Sequence, residues 1–125
     1  MNNLNKYFDL FDQSRTSEQA FNNLINLFSE DITFILNGKK KEGIHNWKAF
    51  VTKIYEENVD LKHMYEGWLS VEGTDTYQTN WAICGKHKSG KVYTQTGKDI
   101  AKLNDQGEIC YLENVPDNTD LFKGY

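Results

Sequence analysis

The chain has 125 residues, a formal net charge of −4 and a pI near 5.3, enough length for one domain with its own core and no electrostatic footprint for DNA or RNA. Hydrophobic residues make up 38% and aromatics 14%, and seven Tyr, seven Phe and three Trp either fill a core or line a cavity with rings. Residues 1–11 lack a basic start and an apolar run, and no 18-residue apolar stretch occurs, so a soluble, cytoplasmic protein with no membrane partner is expected.

Leu4, Tyr7, Phe8 and Phe11 recur at i, i+3, i+4 and i+7, which predicts an amphipathic helix over 3–12. Thr16 with Gln19 forms a capping-box pattern, and Phe21, Leu24, Ile25 and Phe28 extend a second helix over 16–28. Residues 31–36 (DITFIL) are β-branched and aromatic and stop at Asn37-Gly38, a turn pair that joins them to 40–42 as a hairpin. Trp47, Phe50, Val51, Ile54 and Tyr55 mark one face of a third helix over 44–57.

From Asp60 onward the apolar positions alternate, and turn clusters at 72–75, 88–90 and 104–107 divide the chain into four strands, 60–71, 76–87, 91–103 and 108–115. The expected class is α+β: three N-terminal helices packed on a curved antiparallel sheet, with 1–125 as a single domain. Alternation puts Leu61, His63, Tyr65, Leu69 and Val71, then Tyr77, Thr79, Trp81 and Ile83, then Tyr93, Gln95, Gly97, Asp99, Ala101 and Leu103 on the helix-covered face. Met64, Trp68, Val92, Ile100 and Leu112 fall on the open face, where Trp68 and Met64 suggest a homodimer contact.

Asp99 is an acid in mid-strand on the covered face, which costs free energy unless it is hydrogen-bonded, paired or kept protonated. It reads either as a donor or acid/base group in a cavity or as a paired structural carboxylate. His63, on the same face, is a general base or proton partner, or else a satisfied core histidine. No two of His45, His63 and His87 have ligand spacing, and Cys84 and Cys110 read as reduced core thiols, so no metal and no cofactor are expected. Residues 85–91 reproduce G-x-x-x-x-G-K, but Val92 stands where a magnesium-binding Ser or Thr belongs and the stretch joins two strands, so no phosphate loop is expected.

Residues 27–34 (LFSEDITF) resemble the entry to the first strand of the nuclear transport factor 2 superfamily, and Asp105-Gln106-Gly107-Glu108-Ile109 resembles its late turn. The order of helices, hairpin and meander is similar to that superfamily over nearly the whole chain. Ketosteroid isomerase, scytalone dehydratase and the SnoaL-type polyketide cyclases are members.

The resemblance implies a cone-shaped fold in which Tyr7 and Asp99 match the isomerase's two hydrogen-bond donors to an enolate oxygen. The isomerase's base corresponds to about Leu36, which cannot carry a proton, and the cyclases' acid/base Asp has its nearest counterpart in Asp117. The expectation is a SnoaL-like protein that binds a small apolar carbonyl compound, with Asp99, Tyr7, His63 and Asp117 as catalytic candidates. Trp47, Tyr65, Trp81, Tyr93 and Glu113 are the candidate ligand contacts. An isomerase, cyclase or lyase and a non-catalytic dimerisation or protein-binding module both remain open.

Overall fold

The computed structural model describes residues 2–118 and 120. Helix α1 runs Asn2–Ser14, and its apolar stripe, Leu4, Tyr7, Phe8 and Phe11, is buried. Helix α2 spans only Glu18–Ile25 and is capped by Ser17, whose side chain accepts from the Ala20 N–H at 3.1 Å. The cap therefore lies one residue later than the Thr16 pattern predicts, and Phe28 belongs to the next strand. Strand β1 (Phe28–Leu36) turns through Asn37 and Gly38, both at positive φ as a two-residue hairpin requires, into β2 (Lys39–Glu42). Helix α3 (Ile44–Glu57) buries Trp47, Phe50 and Val51.

Strand β3 (Asn58–Tyr65), a two-residue β4 (Leu69–Ser70), β5 (Tyr77–His87), β6 (Val92–Leu103) and β7 (Ile109–Pro116) complete a seven-stranded sheet in the order β2-β1-β7-β6-β5-β3, with β4 on β5. The sheet is curved and mixed, because β1 runs parallel to β7 while its other pairings are antiparallel. The three helices pack on it as an α+β cone, α1 against β3 and α3 against β1, β2 and β3.

Three placements correct the sequence expectation. The first long strand breaks at Glu66-Gly67-Trp68, where Gly67 has φ 125°, and the break shifts the alternation by one. Trp68 consequently turns inward, 4% exposed and stacked on Phe8, while Leu69 turns outward at 73% exposure. Trp68 is thus no part of an open-face contact, and Met64, Val92 and the outward-turned Leu69 are the large apolar groups exposed there. In β7 a register shift between Lys102 and Leu103 reverses the expected parity: Leu112 pairs with Ala101 and is buried on the covered side. Cys84 is exposed and Cys110 half-buried, so neither is a core thiol.

Candidate functional site

Helix α1, helix α3 and the inner faces of β3, β5, β6 and β7 line a partly open cavity of about 350 Å³. Its walls come mostly from rings and aliphatic chains, and its polar groups sit at separate places along it: Asp99 and Asn114 at one, His63 on the flank, and Glu57, His87 and Lys91 at another. A small recess of about 10 Å³ adjoins it, bordered by Tyr7, Leu36, Trp47, Asp99 and Asn114 among others. Among the described residues no three His, Cys, Asp or Glu side chains cluster as a metal set needs.

Asp99 is placed by strand register. It pairs with Thr79 on one side and Asn114 on the other, two positions along β6 from Gly97, and all face the helices. Its carboxyl is 2% exposed, accepts from the Trp81 indole N–H at 3.0 Å and takes a second hydrogen bond from the Asn114 side chain. These partners are neutral. Burial therefore dominates and pushes the carboxyl from 3.8 up to about 8, against the smaller opposing effect of the two hydrogen bonds.

Gly97 makes this arrangement possible. A Cβ there would lie 2.6 Å from the Trp81 ring and 2.7 Å from the Val115 carbonyl oxygen, so the indole reaches Asp99 only because the residue between them has no side chain. Tyr7 borders the same cavity from α1, its ring edge-on to Phe11 and Phe28. Burial first, and then the nearby Asp99, raise its phenol well above the ordinary value. Both groups therefore keep their protons at neutral pH and can donate them in hydrogen bonds.

His63 lies on the cavity flank between the Phe8 and Phe11 rings. Its Nδ1 is 2.6 Å from Asp12 Oδ1, and its backbone N–H donates to Asp12 Oδ2 at 2.7 Å. A carboxylate on Nδ1 holds the proton there and leaves Nε2 as the free ring nitrogen, which is the arrangement of an oriented general base. Tyr93 is also fixed: it donates to Asn58 Oδ1 at 2.6 Å, and its ring covers Gly85, where a Cβ would come within 2.5 Å.

Of the residues expected from the sequence, the cavity brings together Tyr7, His63, Trp81, Tyr93 and Asp99, with Trp47 in the adjoining recess. Tyr65 packs on Phe8 and donates to the Asn5 carbonyl, outside the cavity wall. Glu113 pairs with Ile100 on the other face and accepts from the Tyr111 hydroxyl, while Asn114, one residue on, takes the inward position. Asp117 accepts from Thr96 Oγ1 at 2.6 Å and borders a separate depression with Met64, Ala82 and Thr96, away from the cavity. Asp12 and Asn114 went unsuspected in the sequence. Asp12 does carry a signal: Leu4, Phe8 and Asp12 are successive i+4 positions on one stripe.

No protein-family model matches the sequence, and no match was found among curated proteins. Among solved structures, an NTF2-like protein of unknown function from Exiguobacterium sp. 255-15 shares 56% identity, with 93% of this chain and 98% of that one covered and a TM-score of 0.91. The chain belongs to the NTF2-like family. More distant NTF2-like folds superpose well. A protein assigned as a SnoaL-like polyketide cyclase from Jannaschia sp. CCS1 gives a TM-score of 0.77 at 17% identity, covering 93% of this chain and 83% of that one. A protein of ketosteroid isomerase-like fold from Catenulispora acidiphila, solved with trimethylamine, gives 0.73 at 12%, covering 90% and 82%. At those identities the likeness is one of fold, and it places this chain's helices and cone among SnoaL-like and ketosteroid isomerase-like structures.

Proposed function

We propose that this NTF2-like protein binds a small, flat, largely apolar carbonyl compound and moves a proton on it without a cofactor, as an isomerase, cyclase or lyase does. The observation that carries the reading is Asp99: a carboxyl held neutral by burial to about pH 8, beside Tyr7, in a ring-lined cavity. Two protonated donors at one place suit an oxygen that gains negative charge in the transition state. His63, oriented by Asp12, supplies the proton acceptor that Leu36 cannot. His63 pairs through Ile83 to Gln95, four residues before Asp99, or ~13 Å along the strands at the usual rise, so the proton His63 takes sits at the far end of a ligand of two or three fused rings, on a carbon conjugated through them to the carbonyl that Asp99 and Tyr7 hold.

A cavity of this size also speaks against the non-catalytic alternative, in which side chains fill the cone. On the open face, Met64 and Val92 support pairing of two copies, which sedimentation of the wild type and Met64→Glu would test: equal masses would remove the idea. For the carbonyl reading, Asp99→Asn and Tyr7→Phe are expected to cost about 10²–10³ each in turnover of a responsive ketone. If both variants fold and keep wild-type affinity and turnover, the reading is wrong.

A further inference from the structure

Two buried polar atoms near Asp99 have no hydrogen-bond partner among the described residues: the donor Trp47 Nε1 and the acceptor Asn114 Oδ1. Both side chains border the same recess, together with Tyr7, Asp99 and three apolar residues. At about 10 Å³ it has room for one water-sized group. Asn114 is held in place: its backbone oxygen accepts from the Asn37 N–H at 3.0 Å, and its side chain bonds Asp99. With the amide nitrogen given to Asp99, the amide oxygen is left over. Orphaned buried donors and acceptors are costly, and a donor and an acceptor left over on two side chains that line one recess call for a group that serves both.

We propose that the recess is a hydroxyl subsite, so that the ligand is a hydroxycarbonyl compound whose O–H donates to Asn114 Oδ1 and accepts from Trp47 Nε1. A carbonyl in the recess would satisfy only the tryptophan and an ammonium only the asparagine, whereas a hydroxyl satisfies both. Tyr7 and Asp99 border cavity and recess alike, so the two ligand oxygens are near neighbours, as in a β-hydroxyketone. The inference rests on the carbonyl reading above and narrows it to a substrate class.

The test is calorimetric titration of the wild type, Trp47→Phe and Asn114→Leu with 1-indanone and 3-hydroxy-1-indanone. The hydroxyketone should bind the wild type at least about tenfold more tightly, and that advantage should shrink in Trp47→Phe and vanish in Asn114→Leu. Equal wild-type affinities, as when a water fills the recess, overturn the subsite, and so does an advantage that survives both substitutions. Titrating Asp99→Asn and Tyr7→Phe with 1-indanone separates the two failures. Binding that depends on them without a hydroxyl preference overturns the subsite alone; binding indifferent to them, or none, overturns the carbonyl reading and the subsite with it.

Discussion

Asp12 and Asp99 are both carboxyl groups on the inner side of the cone, and their neighbours assign them opposite tasks. Asp12 meets an imidazole nitrogen and a backbone N–H, so it can hold a ring and answer a positive charge on it. Asp99 meets only an indole and an amide, so it keeps its proton to about pH 8. One side chain type thus serves as an anchor for a base in one place and as a neutral acid in the other, and the difference lies in whether a basic group is within reach.

The largest effect should come from removing the group that Asp12 orients. His63→Gln is expected to lower turnover by about 10²–10⁴ with affinity for a ketone nearly unchanged, read by comparing kcat with Kd. A matched loss in both would instead make His63 a wall of the cavity.

The next effect belongs to Asp99 and is one of stability. Between pH 4 and 8 the folded protein holds a proton that the unfolded chain has released, so raising the pH favours unfolding. The stability is fully present below about pH 4 and declines by up to about 1.4 kcal/mol per pH unit toward pH 8. Asp99→Asn should flatten that slope and melt higher than wild type at pH 8, with the gap closing near pH 4. Parallel melting-temperature profiles would show that Asp99 ionises in the folded state as freely as in the unfolded one.

Asp12→Asn should destabilise by about 1.5–3 kcal/mol in denaturant titration, since it weakens hydrogen bonds to His63. Gly97→Ala, with its Cβ driven against Trp81 and the β7 backbone, should cost about 1–3 kcal/mol. It should also alter the pH slope that Asp99 creates, because it moves the indole that bonds the carboxyl. A Gly97→Ala protein with the wild-type slope would mean that the indole shifts without releasing Asp99.

The helices and turns were legible because each is a local matter. The stripe Leu4, Tyr7, Phe8 and Phe11 and the pair Asn37-Gly38 need no distant partner to declare themselves. Asp99 was legible for the same reason, as an acid in phase with the inward positions of its strand. What failed was parity beyond an irregularity: Gly67 moved Trp68 inside, and the shift near Leu103 exchanged Glu113 for Asn114. A bulge displaces every later side chain by one face; Gly67 inside 60–71 is the mark of one, while nothing in the composition of 108–115 marks the other. The parallel pairing of β1 with β7 was invisible too, since short turns speak only for neighbouring strands.

That pairing also sets an order of assembly. β1 is among the first strands to be made, yet its neighbour β7 follows after every other element, so closing this contact spans most of the chain. Long-range pairing of this kind slows folding, and until it closes β1 keeps one edge unsatisfied. Asn114, the partner of Asp99, arrives on that last strand. We expect refolding followed by Trp fluorescence to show the slow phase unchanged by 1-indanone while unfolding slows in its presence: a ligand can hold the finished cone but has nothing to grip before the final strand seats.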